Sequence, residues 1–247
     1  MVRSNPVIHP AGWRVAPHAP RPGRPACEHS SAEWALRAAR SCLSTGGSVL
    51  FVGSAGVDRT AMLDALVEDA PACEAVLHDA VVPDSGGRRV LRCSPAPAEA
   101  ELAFCGLARL LSAVTDDELD ALTSAHRRAL TAVLLGGTEP TAGGTLAALR
   151  LAALRWFQTL AGCGPLLLVV DDVQWLDDPS ADVLWFVSRR FDRLRIQMAA
   201  SELVPYGAYP LGRQLCPPHA LEIRLDPVGP PNAPHAVRRR RRWASSR

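Results

Sequence analysis

Five apolar residues, Leu166 to Val170, run without a break into two carboxylates, Asp171 and Asp172. So short and continuous an apolar run reads as a strand buried on both faces, as in a parallel sheet covered by helices. Ser48–Val52 has the same character and ends at Gly53; Val90–Cys93, Arg195–Ala200 and Leu221–Leu225 are three further strand candidates. Helical spacing predicts helices over Ala32–Thr45, through Trp34, Leu36, Ala39 and Leu43, and over Arg59–Asp69, through Leu63, Leu66 and Val67. Ala98–Val114 and Asp117–Leu135 read as two more, and Thr145–Leu160 as an amphipathic helix through Leu146, Leu149, Ala153, Trp156 and Leu160. Another helix starts at Asp178-Pro179, with Asp178 as its cap and Val183, Val187 and Phe191 turned to the sheet. Strands alternating with helices predict an α/β fold of three layers with a mainly parallel central sheet.

Composition changes this picture at the two ends. Residues 1–30 are rich in proline and arginine and are expected to form a flexible leader; 31–225 form the folded domain. Residues 226–247 carry the five-arginine run Arg238–Arg242 and no periodicity, and are expected to be a disordered tail. The net charge of +2 hides a segregation. Four arginines lie in 1–26 and six in 227–247, with no acid in either stretch, so the middle carries −8. An acidic core is a poor nucleic-acid surface, and the arginine run without interleaved aromatics reads as a solvated tail. The abrupt change after Asp226 suggests a truncated or frame-shifted reading frame. No apolar stretch is long enough for a membrane span and no signal peptide is evident, so a cytoplasmic protein is expected. Seven cysteines, an odd number without C-x-x-C spacing, indicate neither a disulfide framework nor zinc. The histidines form no metal or triad spacing, and no serine sits in a G-x-S-x-G elbow.

Between the Ser48–Val52 strand and the helix at Arg59 lies GSAGVDRT, from Gly53 to Thr60. A phosphate-binding loop has the pattern G-x-x-x-x-G-K-[ST] in this setting, where backbone N–H groups cradle phosphates, lysine reaches them and the hydroxyl binds Mg²⁺. Gly53 is in place, Gly56 is an additional glycine, and Thr60 supplies the hydroxyl; Asp58 replaces the second glycine and Arg59 the lysine. A carboxylate about 5 Å from a phosphate charge costs about 3 kcal/mol at an effective dielectric near 20. Arg59 keeps the positive charge, but a broad planar fork does not match a compact ammonium, and it can instead pair with Asp58. The chain contains no lysine, so no displaced lysine restores the pattern. Taken alone, these eight residues also describe a glycine-rich turn with no ligand.

At the other strand end, Asp171 suits support of Mg²⁺, usually through water, and Asp172 the positioning of an attacking water. An acidic turn leaving a core strand is the plainer alternative, and Gln174, Trp175, Leu176 and Asp177 in train make it less apt.

The string DDVQWLDDPSADVLWFVSRR resembles the Walker B segment and following helix of the LuxR-family large ATP-binding regulators, signal-transduction ATPases of the AAA-like and STAND kind. AELAFCGLARLLSAV resembles the family's intervening segment, GSAGVDRTAMLDAL its phosphate loop, and the gap of about 110 residues between loop and acids also agrees. The resemblance covers about Ala32 to Leu225 and implies an ATP-binding regulatory domain with ATP and Mg²⁺ as cofactors. Gly53, Gly56, Arg59 and Thr60 would face the nucleotide, Thr60 and Asp171 the metal, and Asp172 the catalytic water. Where the family carries a polar or arginine sensor after the fourth strand, this chain has Ser201, followed by Glu202. With Asp58 and Arg59, that makes three departures at one site, which weaken hydrolysis more than binding. The alternatives are a non-catalytic interaction module that has lost the ligand and a non-functional fragment. The family's C-terminal helix-turn-helix is not evident here; adenine nucleotide, with a protein partner or self-association, is the expected company.

Overall fold

The computed structural model describes residues 32–68, 82–83, 88–135, 146–205 and 208–225. The expected leader and tail, the arginine run and the 136–145 glycine loop lie outside these residues. Six strands form one sheet: β1 (Val49–Gly53), β2 (Val82–Pro83), β3 (Arg89–Cys93), β4 (Leu166–Val170), β5 (Ile196–Leu203) and β6 (Leu221–Leu225). Their order is β2-β3-β4-β5-β1-β6. Five run parallel, and the short β2, which no apolar pattern announces, adds an antiparallel edge beside β3. The helices are α1 (Ala32–Ser44), α2 (Arg59–Glu68), α3 (Cys105–Leu111), α4 (Asp116–Asp120), α5 (Ser124–Leu134), α6 (Leu146–Cys163), α7 (Asp178–Ser188) and α8 (Gly212–Leu215).

The unbroken apolar runs are explained by two cores, one on each face. Side chains alternate along a strand. In β4, Leu166, Leu168 and Val170 join the core beneath α3, α5, α6 and α7, while Leu167 and Val169 join the one beneath α1 and α2. β1 divides likewise, Leu50 and Val52 to the first core, Val49 and Phe51 to the second. This is the expected three-layer α/β arrangement with a mainly parallel sheet.

Several expected helices differ in extent. The stretch expected to be helical from Ala98 forms turns until Cys105, because Phe104 takes a left-handed backbone at φ 64°. The Asp117–Leu135 stretch is split: Thr115 caps α4 in a reciprocal capping box with Glu118, and Thr123 caps a separate α5. α7 is capped by Asp177, whose side chain accepts the Ser180 N–H, so Asp178 sits inside the first turn beside Pro179. Val183 and Val187 face the core as expected; Phe191 reaches the core from a 3₁₀ turn beyond the helix end. In α1 the buried positions are Ala35, Ala39 and Leu43, an i, i+4, i+8 row that faces the sheet and leaves Trp34 exposed.

Candidate functional site

The C-terminal ends of β1, β4 and β5 lie side by side, and β5 stands between the loop-bearing β1 and the acid-bearing β4. The acid strand therefore lies one strand away from the loop strand, and the acids reach the loop across β5. That one-strand offset makes Ser201, at the β5 tip, the bridge. Its hydroxyl hydrogen-bonds the Asp171 Oδ1, and its oxygen accepts the Asp172 N–H at 2.9 Å.

Gly53 closes β1 with no room beside it: a Cβ there would lie 3.1 Å from the Leu225 carbonyl oxygen. Gly56, by contrast, is at φ +94° with open space around it, a backbone that a side chain would strain. Asp58 Oδ1 accepts the Ala61 N–H at 2.9 Å, so this carboxylate spends itself on the first turn of α2. Arg59 does not pair with Asp58. Its guanidinium turns back beneath the loop, Nη1 donating to the carbonyls of Ser54 at 3.1 Å and of Gly53 and Val57 at 3.4 Å. Its Nη2 donates to Asp172 Oδ1 at 3.3 Å. The Nε of Arg59 is buried without a hydrogen-bond partner. Thr60, one residue on, is exposed at the start of α2.

Asp171 is buried and Asp172 half-exposed. Asp171 Oδ1 takes the Asp172 N–H at 3.0 Å besides the Ser201 hydroxyl, and its Oδ2 lies 3.6 Å from Arg92 Nη2. Arg92, on β3, also ion-pairs with Asp64 of α2. Asp172 holds a left-handed backbone at φ 45°, which aspartate tolerates better than most residues. Gln174 fixes its carboxylate, donating Nε2–H to Asp172 Oδ1 at 2.9 Å while its own Oε1 accepts the Leu203 N–H at 2.9 Å. The rest of the acidic string is scaffold. Buried Asp177 accepts N–H groups from Phe104 at 2.8 Å, Gly106 at 2.9 Å and Ser180 at 2.9 Å. Next to Ser201, buried Glu202 accepts the N–H groups of Leu211 and Gly212 at 2.8 and 2.7 Å. Burial pushes its carboxyl up to about 7, and Glu222 adds to the rise; the two backbone bonds and the Arg59 charge oppose it.

The structure thus links Gly53, Arg59, Asp172 and Asp171 in one run of contacts, with Ser201 holding the two acids, and adds Arg92 and Gln174, which the sequence did not single out for the site. Arg92 is legible only as a charge placed between buried Leu91 and Cys93.

An anion fits the loop better than a metal fits the acids. The unmatched Arg59 Nε and the unobstructed Gly56 suit phosphate oxygens. Both oxygens of Asp171, by contrast, are already engaged, and among the described residues no group of three His, Cys, Asp or Glu side chains gathers to hold a metal.

A glycine loop closing the first strand of a parallel sheet, with acids at the tip of another, defines a phosphate-loop nucleotide-binding fold. The chain belongs to the AAA ATPase domain family, whose model matches residues 33–201. No curated relative matches the chain in sequence. Among solved structures it is similar to the Walker-type ATPase of Pyrococcus abyssi, with 14% identity and TM-score 0.43, covering 79% of this chain and 53% of that one. It is also similar to Drosophila ORC bound to DNA, with 15% identity and TM-score 0.44, over 78% of this chain and 42% of the other. C. elegans PCH-2 gives 8% identity and TM-score 0.34, over 78% and 41%. The chain spans about half the length of these structures or less.

Proposed function

We propose that this chain is an adenine-nucleotide-dependent signalling or regulatory module, akin to the ATPase module of LuxR-type regulators, which binds nucleotide with weak or absent hydrolysis. In this reading Gly53, Gly56 and Thr60 receive the phosphates and Arg59 compensates part of their charge. On the family pattern Mg²⁺ would lie by Thr60 and Asp171, with Asp172 towards the water, but both Asp171 oxygens are already engaged by Ser201 and Arg92. The observation that carries the reading is the 3.3 Å pair between Arg59 and Asp172. It ties the residue in the lysine position to the acid that should be free to orient water. Ser201, where the family carries a polar or arginine sensor, can donate a hydrogen bond but cannot offset developing negative charge as arginine would. The loop glycines and Thr60 persist, while the acid that would orient water is held by Arg59 and Gln174. Such a module acts through a protein partner or self-association; no described helix is long and apolar enough to cross a membrane.

The test is the thermal midpoint of the purified chain with and without millimolar Mg–ATP, beside an Asp58→Gly/Arg59→Lys variant. A ligand that binds only the folded form at a hundredfold its Kd adds about 2.7 kcal/mol. For a chain of this size each kcal/mol moves the midpoint by about 2–4 °C. The native chain should rise, the variant should rise further, and phosphate release should match the protein-free blank. No rise in either protein would sink the nucleotide reading. A rise in the variant alone would favour the second reading, an interaction module whose ligand site has been closed by Asp58 capping α2.

A further inference from the structure

Arg92 is one-tenth exposed and stands on β3 in register with Val169, two residues before Asp171. Its guanidinium spans two elements. It ion-pairs with Asp64 on α2, approaches Asp171 Oδ2 at 3.6 Å, and its Nε donates to Ser94 Oγ at 3.4 Å. The other Asp171 oxygen is already hydrogen-bonded by Ser201 and by the Asp172 N–H. Asp172 in turn is held by Arg59 and Gln174. Each of the two acids therefore has its own arginine, and arginine stays charged at every accessible pH. A divalent cation placed against Asp171 would have to displace Arg92 and then sit beside it in a partly desolvated site, where like charges repel more strongly than in water.

We infer that Arg92 stands in for the divalent cation, so that this chain takes its nucleotide as the metal-free anion. The inference rests on the nucleotide-binding reading and concerns how the Asp171 charge beside the loop is met: by Arg92 in place of Mg²⁺. It runs against the metal role of Asp171 that the acidic string implies. Its chief competitor is also visible in the contacts: Arg92 can retreat wholly onto Asp64 and release Asp171 to a metal.

Titration calorimetry of the full chain with ATP, in excess Mg²⁺ and in EDTA, separates the two. The expected result is a Kd that differs by less than about threefold, under 1 kcal/mol, between the two conditions. Affinity tighter in Mg²⁺ by more than about threefold overturns the inference while leaving the nucleotide reading intact. No binding in either condition sinks both. Arg92→Gln should weaken binding in EDTA by about tenfold, and Mg²⁺ should recover it, whereas Arg92→Lys should keep the metal independence. An Arg92→Gln chain that folds and binds in EDTA as tightly as the native one also overturns the inference. If Arg92→Gln fails to fold, the native comparison still decides.

Discussion

Asp177 shows how a carboxylate in an acidic string can be structural. Its two oxygens take three backbone N–H groups, from Phe104, Gly106 and Ser180, with no solvent to replace it. Removing one partner of a buried hydrogen-bonded charge leaves the others unsatisfied. Asp177→Ala should therefore lower stability by about 3 kcal/mol in denaturant unfolding. A loss within about 0.5 kcal/mol would mean that water enters and serves those N–H groups. Glu202 provides a different signature. Its carboxyl titrates near 4.5 when unfolded and at about 7 when folded. Between those values the folded chain binds the extra proton, so this residue's contribution is fully present at low pH and is lost as pH rises towards 7. The change is up to about 3 kcal/mol. Glu202→Gln should flatten the stability profile between pH 5 and about 8 relative to the native chain. Parallel profiles for the two proteins would argue that Glu202 titrates normally.

Among the elements, the junction of α3 with α7 and the placing of β5 matter most. The N-terminal turns of α3 and α7 dock through Asp177 and through Ser180, whose Oγ accepts the Leu107 N–H at 2.8 Å. Gly106 makes this approach close: a Cβ there would meet Leu176 Cδ1 at 2.4 Å, and Leu176 is itself buried. Gly106→Ala should cost about 1–3 kcal/mol by overpacking and leave far-ultraviolet ellipticity unchanged. A neutral effect would show that Leu176 has room to rotate away. β5, inserted between the loop strand and the acid strand, carries Ser201 to the point where Asp171 and Asp172 are hydrogen-bonded. The turn after β4 is locked by Gln174 to Leu203. Nothing in the periodicity of 196–200 gives its neighbours in the sheet, and the strand continues three residues past the expected end, through the polar pair Ser201-Glu202.

For the molecule as a whole, the two cores lie on opposite faces of one sheet, and adjacent residues of one strand serve opposite layers. Leu167 and Leu168 are both buried, on opposite faces. Leu167→Ala and Leu168→Ala should each cost about 2–5 kcal/mol in equilibrium unfolding. A three-layer fold requires both losses; tolerance at either position within about 0.5 kcal/mol would mean that one face is not packed.

Much of this architecture is written locally. The continuous runs at Ser48–Val52 and Leu166–Val170, the helical rows of 145–160, and Gly53 followed by a helix at Arg59 are short-range signals. A strand buried on both faces needs apolar residues at every position, and a loop at a strand end needs glycine. The partnerships at the site are not local. Arg59 meets Asp172 across 113 residues of chain, and Ser201 meets Asp171 across 30. Whether Arg59 turns to Asp58 or to Asp172, and whether Asp171 is free or held by Arg92, depends on strand order and on competition among nearby charges. Residue identity supplies the charges. Folding places β5 between β1 and β4 and thereby selects the pairs that form, because an ion pair's energy depends on distance and burial, neither of which a linear pattern contains.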